Sequence, residues 1–301
     1  MPELPEVEVV RAGVEAAIAG CTLLSAAVYH PRTERKIPGG AAALSAALVG
    51  QRVQGVARRG KYMWVLFEDA ITGAAADQAL VIHLGMSGQL LVNDAAFDAA
   101  THHYEAGKRH ERARFEFAGA AGSESEGALT LRFIDQRTFG YIALSPLVAG
   151  PHGRFVPQLA AHIAPDALEL STPELVHRLA GQPREIKRIL LDQAAVAGIG
   201  NIYADEALFA ARINPHARRL GRERARLLAR SIQEILLRSL AAGGTSFDQL
   251  YRNASGEAGY FARELAVYGK AGQPCPRCAT PIRAQAFLGR HAHYCPSCQR
   301  R

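Results

Sequence analysis

The sequence predicts a multidomain α+β protein, and three observations carry that prediction. Strand-forming segments dominate from residue 22 to residue 144, helical patterns follow from residue 171, and four of the five cysteines lie between residues 275 and 298. A chain of 301 residues, 49% hydrophobic and 21% charged, is long enough to form two or three domains with substantial cores. We predict domains at residues 1–148, 149–262 and 263–301.

One helix opens the first domain, and strands fill the rest of it. Val7, Val10 and Val14 recur at helical spacing, and Gly20 closes a helix predicted over residues 5–18. Small or polar stretches at 70–78 and 119–127 predict surface loops. The strand-forming segments cover residues 22–30, 52–67, 79–92, 112–117 and 129–144.

The second domain has helical patterns. Ser171 followed by Glu174 predicts a capping box at the start of its first helix. Glycine-rich stretches from Gly243 and at 255–259 lead into the cysteine region. The helices are predicted at about 172–180, 184–193, 201–210 and 222–241.

Basic residues outnumber acidic ones and concentrate in two stretches. The formal charge is +7, and the stretch from Arg212 to Arg230 holds seven arginines against Glu223 alone. From Lys270 to Arg301 there are six basic residues and no carboxylate. Both stretches favour a polyanionic partner, although a solvated face would have the same composition.

The composition of the chain start is unlike that of an export signal. MPELPEVE is acidic where a signal peptide is basic, and no apolar run reaches the length that spans a bilayer. We therefore expect a cytoplasmic protein with no membrane partner.

The cysteine region predicts one structural zinc ion. Cys275 and Cys278 form one pair, Cys295 and Cys298 form another, and sixteen residues separate the pairs. Four thiolates in two such pairs close a tetrahedron around zinc and leave no open position for a substrate. An iron site or a redox pair is the alternative. Arg290 lies between the pairs, on the hairpin that the metal would stiffen.

The N-terminus contains residue types that are suited to nucleophilic catalysis. Removal of Met1 would leave the Pro2 secondary amine at the terminus, beside Glu3 and Glu6. A terminal amine has a pKa of about 8 against about 10.4 for lysine, so it is roughly 200-fold richer in the neutral form near pH 7. Its attack on a sugar carbon would give an iminium that serves as an electron sink. The alternative is ordinary helix-start composition, in which proline and acids are common.

Seven blocks in order resemble the bacterial formamidopyrimidine-DNA glycosylase family. That family has an N-terminal β-sandwich with a leading helix, a helix-two-turns-helix domain and a C-terminal zinc hairpin. The resemblance therefore implies the same three parts here. The blocks are PELPEVE at the terminus, RRGKY at 58–62, HLGMSGQL at 83–90, DQRTFGY at 135–141, VAGIGNIYADEALFAARINP at 196–215, GYFARELAVYGKAGQPCPRC, and CPSCQ.

The resemblance also implies the chemistry. A monomeric enzyme would act on double-stranded DNA with damaged bases, excise oxidised purines such as 8-oxoguanine and formamidopyrimidines, and cleave the strand by β,δ-elimination. Pro2 would be the nucleophile that forms a Schiff base, Glu3 would protonate the deoxyribose ring oxygen, and Glu6 would assist. Lys61 would act in binding and elimination, although on its own it reads as an exposed cation.

Further residues match DNA contacts of the family. Base excision requires an extruded nucleotide, and Met86, Arg137 and Phe139 would fill the gap. Read alone, Met86 and Phe139 are more typical of a core. Other matches are phosphate contacts at Asn201 and Arg290, where glycines before a helix also favour phosphate binding, a basic position at Lys187, and a DNA contact at His110. The family histidine two positions after His110 is replaced by Arg112.

Two rival functions remain. An endonuclease VIII-like glycosylase would prefer oxidised pyrimidines, and PELPE at the terminus argues against it. A non-catalytic protein could bind damaged DNA through the hairpin alone. The sequence leaves open the lesion preference, the removal of Met1, and the residues of a base-recognition loop expected within 244–260.

Overall fold

The structure is a computed structural model that describes residues 2–93, 109–119, 128–150, 154–245 and 260–300. It divides into two compact units. The first unit comprises Pro2, Glu6–His162 and Thr245, and the second comprises Glu3–Pro5, Ile163–Gly244 and the chain from Tyr260. The first is built on a sheet and the second on helices and a hairpin, which confirms the predicted α+β class.

The strands of the first unit form one antiparallel sheet. Its described strands follow the order β5-β7-β6-β1-β2-β3-β4-β8-β9. Within β6 the apolar residues Ala113, Phe115 and Phe117 are buried and alternate with half-buried polar ones, as the sequence predicts. The strands are β1 Thr22–Val28, β2 Arg52–Arg59, β3 Tyr62–Glu68, β4 Gln78–His83, β5 Gly88–Asn93, β6 Glu111–Ala118, β7 Leu129–Asp135, β8 Tyr141–Ala149 and β9 Phe155–Pro157.

Strands from both ends of the sheet share one hydrophobic core. Leu90 of β5 and Phe133 of β7 belong to the same buried cluster as Ile82 of β4 and Ile142 of β8. Helix α1, Leu4–Ile18, contributes Val10 and its helical neighbours to that cluster. A sheet whose ends meet at one core encloses it, as expected of the predicted β-sandwich with a leading helix.

Three predicted strand segments each contain two separate strands, and two short helices were missed. The segments 52–67, 79–92 and 129–144 each contain a turn, because Gly60 and Gly85 have positive φ and the residues from 136 to 140 leave the sheet. The missed helices are α2, Pro31–Glu34, and α3, Gly40–Leu48. In α3 only Leu44 and Leu48 are buried among alanines, so its apolar pattern is weak.

The predicted helices of the second unit are confirmed. Ser171 accepts from the Glu174 backbone N–H and the Glu174 carboxylate accepts from the Ser171 N–H at 2.8 Å, which is the predicted capping box. Among the described residues no helix is both long and apolar enough to cross a membrane. The helices are α4 Thr172–Leu179, α5 Ile186–Leu191, α6 Asn201–Ala210 and α7 Arg222–Ala241.

A cysteine cluster closes the hairpin formed by β10, Arg283–Phe287, and β11, Arg290–Tyr294. The four sulfur atoms all lie within 4.8 Å of one another. Cys278 Sγ is 3.5 Å from Cys295 Sγ and 3.4 Å from Cys298 Sγ. Four sulfurs around zinc, each about 2.3 Å from the metal, would be about 3.8 Å apart, so the cluster fits one structural zinc ion.

We predict that this metal supports the hairpin. Cys278→Ser should reduce bound zinc from about one ion per chain to a small fraction and lower the melting temperature, because a segment this small has little core of its own. Cys21→Ala is the matched control, since Cys21 is a buried thiol outside the cluster. Elemental analysis and thermal unfolding provide the readouts. Equal zinc content in the two variants would show that the cluster does not hold the metal.

Candidate active site

Glu3 binds the N-terminus of helix α6 within the second unit. Its carboxylate accepts from the backbone N–H of Gly200 at 2.6 Å and of Ile202 at 2.9 Å, and more distantly from that of Tyr203 at 3.4 Å. The side chain is only 2% exposed. A helix N-terminus offers unpaired N–H groups and a positive dipole end, so it stabilises a buried carboxylate.

The glycines before α6 let Glu3 approach. A Cβ atom on Gly200 would lie 2.2 Å from Glu3 Cδ, which is too close for two carbon atoms that are not bonded to each other. At Gly198 a Cβ would lie 2.5 Å from Leu4 Cδ1, and the Gly198 carbonyl accepts from the Leu4 N–H. The sequence VAGIGN therefore forms a seat for the residues that follow Pro2.

The backbone amides at this turn, which the sequence suggested as a phosphate site, bind the Glu3 carboxylate. Glu3 binds there because it is a tethered anion already in place. The Asn201 side chain instead donates to the His291 carbonyl at 3.0 Å. His291 belongs to strand β11, and Arg290, the exposed first residue of that strand, precedes it.

Lys187 is fully buried, so the structure does not place it on the surface. Its ammonium donates to Asp205 Oδ1 at 2.6 Å and to the His291 carbonyl at 3.0 Å. Burial lowers the pKa of Lys187, while the Asp205 carboxylate opposes that shift. The other Asp205 oxygen accepts from the His293 N–H at 2.8 Å. Lys187 and Asp205 thus fix β11.

Glu206 fixes the segment that leads to the cysteines. Its carboxylate accepts from the backbone N–H groups of Ala266, Val267 and Tyr268 at 2.8 to 2.9 Å. Burial raises the pKa of Glu206, and these three donors act in the opposite direction. Helix α6 therefore holds β11 through Asp205 and the segment before the cysteines through Glu206.

The structure places Pro2 and Glu6 in the first unit. Both are buried, and Glu6 Oε1 accepts from the Thr245 N–H and hydroxyl, each at 2.8 Å. Thr245 precedes residues 246–259, so most of the predicted base-recognition loop lies outside the described residues. Glu6 therefore holds the residue at which that loop begins.

Met86, Arg137 and Phe139 lie on two exposed turns of the first unit. Met86 is 40% exposed and Phe139 is 50% exposed, so neither is a core residue. The turns pack back to back, because a Cβ on Gly85 would lie 2.5 Å from Gly140 N. The structure thus brings the three predicted gap-filling residues onto one surface.

Asp135 organises these two turns, and the sequence analysis did not identify it. Its buried carboxylate accepts from the Ser87 hydroxyl on one turn. On the other turn it accepts from the Gly140 N–H at 2.7 Å and the Arg137 N–H at 3.2 Å. The cue was available, since an Asp at the end of a strand and before a turn commonly binds nearby backbone N–H groups.

Arg35 supports the same surface and was also missed. Its guanidinium donates to the Gly140 carbonyl at 3.1 Å and the Phe139 carbonyl at 3.2 Å, and lies over the Tyr141 ring. No local pattern reveals this contact, because Arg35 lies about a hundred residues earlier in the chain.

Arg112, which replaces the family histidine, contacts both His110 and the Asp135 turn. Arg112 Nε donates to the Asp135 carbonyl at 2.8 Å, and Arg112 Nη2 lies 3.3 Å from His110 Nδ1. Partial burial and the charges of Arg112 and Arg109 lower the pKa of His110. Arg112 thus links His110 to the Asp135 turn.

Lys61 lies at the turn between β2 and β3, near His83. The His83 ring stacks on Tyr141 with centroids 5.2 Å apart, and His83 Nδ1 accepts from the Gly85 N–H. Burial, reinforced by Lys61 and two other cations, lowers the pKa of His83 to about 4. Lys61 therefore neighbours a neutral imidazole at physiological pH.

Known families match all three parts of the chain. The N-terminal domain profile of formamidopyrimidine-DNA glycosylase matches residues 1–142, and the H2TH domain profile of the same enzyme matches residues 163–250. A zinc finger found in FPG and IleRS matches residues 272–301.

Similar proteins extend over the full length. The chain is 47% identical to the formamidopyrimidine-DNA glycosylase of Nocardia farcinica, covering 100% of this chain and 99% of the relative. It is 46% identical to that of Corynebacterium urealyticum, covering 99% of each.

Solved structures show the same fold. A mutant of Lactococcus lactis FPG in complex with Fapy-dG containing DNA has a TM-score of 0.78 at 30% identity, covering 100% of both chains. MutM (FPG) from Thermus thermophilus has a TM-score of 0.76 at 31% identity, covering 99% of this chain and 98% of that one. The chain therefore belongs to the formamidopyrimidine-DNA glycosylase family.

Proposed function

We propose that the chain is a base-excision repair enzyme, a bifunctional DNA glycosylase and AP lyase that removes oxidised purines such as 8-oxoguanine and formamidopyrimidines. The observation that carries the proposal is the buried Glu3 carboxylate, which backbone amides hold in place. Glu3 directly follows Pro2, whose secondary amine becomes the chain terminus when Met1 is removed. Family membership over the whole length supports it.

Pro2 performs the nucleophilic step. Its neutral amine attacks C1′ of the damaged nucleotide, and the bond from C1′ to the base breaks with its electron pair going to the base. The proton that the Pro2 nitrogen loses after bonding to C1′ balances the charge of the departing base. Opening of the sugar ring gives an iminium at Pro2. This electron sink permits loss of the 3′ phosphate and then the 5′ phosphate by β- and δ-elimination.

Glu3 moves the proton that this step requires. The N–H donors of α6 hold the Glu3 carboxylate in place beside Pro2 in the chain. It takes the proton that the Pro2 ammonium must lose before attack, and delivers it to the ring oxygen as the sugar opens. Glu6 assists, and the Lys61 cation serves binding and elimination.

The remaining residues hold the DNA. Met86, Arg137 and Phe139 fill the gap left by the extruded nucleotide, and their exposure on paired turns supports this role. Asn201, Arg290 and His110 contact the duplex. Lys187 acts indirectly, because it is buried and positions the strand that carries Arg290.

The proposal includes the domain borders and the setting. Domains at residues 1–148, 149–262 and 263–301 each contain one of the three profile matches. The enzyme works as a monomer on chromosomal DNA in the bacterial cytoplasm.

We predict that borohydride traps the chain covalently on duplex containing 8-oxoguanine, because hydride reduces the Pro2 iminium.

Pro2→Gly should lose most excision activity while duplex binding survives. Chain that retains Met1 should fold normally and remain inactive, since it has no free Pro2 amine. Denaturing gels and mass spectrometry of the terminus provide the readouts.

A lesion panel separates this proposal from its rivals. Pro5→Ala is the control for Pro2→Gly, because Pro5 lies inside the chain between Glu3 and Glu6 and contributes no terminal amine. Preferential cutting of an oxidised pyrimidine would favour the endonuclease VIII-like alternative. Binding without trapping, in chain shown to lack Met1, would leave only the non-catalytic alternative.

We predict that Gly200→Ala disables excision by displacing Glu3. The new Cβ would overlap Glu3 Cδ, and a shift of about 1 Å in a reacting group costs about 100-fold in rate. Gly221→Ala is the matched control, because a Cβ there meets nothing within 4 Å. Single-turnover excision and thermal unfolding would be compared. Native excision by Gly200→Ala would show that the seat on α6 is dispensable.

We predict that Arg35→Ala loosens the Phe139 turn. Two carbonyls lose a charged donor, so kcat/KM should fall about tenfold, equivalent to about 1.4 kcal/mol. A fluorescent base analogue opposite the lesion should report weaker gap filling. Arg32→Ala is the control for charge alone, since Arg32 is exposed nearby. The same loss in both variants would contradict a positioning role for Arg35.

A further inference from the structure

A groove of about 860 Å³ lies between α4 and the first turns of α7 in the second unit. One wall is aliphatic and consists of Pro173, Val176 and Ala180. Val176 and Ala180 are half-buried and pack on the core of the unit, so this wall is firm. A volume of this size lies within the range of about 300–1,000 Å³ in which proteins bind ligands.

The opposite wall is a row of arginines. Arg222, Arg226 and Arg230 line the groove, are exposed, and occur at every fourth residue of α7. At about 1.5 Å per residue, successive arginines lie about 6 Å apart along the helix. Of the described residues, Glu223 alone forms an ion pair with this row, at 2.7 Å from Arg226. Both partners are exposed, so water and salt weaken the pair and an incoming anion can replace Glu223.

We propose that the α4–α7 groove binds an extended acidic peptide of a partner protein, in which carboxylates alternate with aliphatic side chains. In an extended chain, side chains on one face recur about every 6.6 Å, close to the spacing of the arginines. The carboxylates then meet the arginine row, and the intervening aliphatic residues meet Val176 and Ala180. This alternation matches a groove with one cationic wall and one aliphatic wall.

Nucleic acid fits the same walls less well. Single strands are held by stacking of bases on aromatic rings, and among the described residues lining the groove only His177 has an aromatic ring. A duplex offers phosphates to the arginines but no aliphatic face for Val176. The sequence favoured a polyanionic partner for the stretch from Arg212 to Arg230. In the structure, the arginines at the end of that stretch share a groove with the aliphatic wall on α4. The groove contains none of the residues proposed to contact DNA, so this inference stands apart from the proposed function.

The test uses the full chain and a fluorescein-labelled peptide of alternating aspartate and leucine, followed by fluorescence anisotropy. Arg226→Glu should weaken binding at least about tenfold, because a like charge then faces the peptide. Arg224→Glu is the matched control: the same helix, exposure and change of charge, but outside the groove lining. Its affinity should stay within about twofold of the native value.

Peptide variants test the two walls separately. Replacing aspartate by lysine should abolish binding, and replacing leucine by serine should weaken it severalfold. Excision of 8-oxoguanine by Arg226→Glu should match the native rate, which shows that the variant folds. Equal losses in Arg226→Glu and Arg224→Glu would overturn the proposal in favour of net charge alone. Displacement of the peptide by undamaged duplex, with duplex binding also lost in Arg226→Glu, would reassign the groove to nucleic acid.

Discussion

The seat of Glu3 on the N-terminus of α6 is the interaction on which the rest depends. A buried carboxylate without partners is costly to desolvate, so the fold must provide donors wherever it buries one. Here the donors are backbone amides that α6 cannot pair internally. The acid and the helix therefore satisfy each other, and a terminus that would otherwise fray becomes ordered at the residue next to Pro2.

Carboxylates that accept from backbone N–H groups recur elsewhere in both units. Asp135 accepts from the turns of Met86 and Phe139, Glu6 accepts at Thr245, and Glu206 accepts from the segment before the cysteines. Backbone amides are fixed donors, whereas surface ion pairs pay side-chain entropy and are screened by salt. Fixed donors thus connect the turns of Met86 and Phe139 to the buried Asp135 carboxylate.

Much of this architecture could be predicted from the sequence, and the remainder has a physical reason. Alternation in β6, the Ser171 capping box and the paired cysteines are local signals, so the elements and the metal site followed from short stretches. Arg35 and Asp135 act across distance or through backbone groups, which leave no periodic trace. Lys187 shows the limit clearly: its match to a basic position of the family does not indicate burial, and only the packing reveals its partner Asp205.

The adjacent acids of helix α6, Asp205 and Glu206, have partners that could not be predicted from the sequence. Asp205 and Glu206 look like a solvated face, yet both are buried. Neighbouring residues on a helix project about 100° apart, so the two carboxylates reach different segments. Asp205 holds β11 through His293, and Glu206 holds the backbone at Val267. One helix therefore binds both the hairpin and the segment that precedes the cysteines. The position of Arg290 is therefore set by the same helix that seats Glu3, and the metal needs only to close the hairpin at its far end.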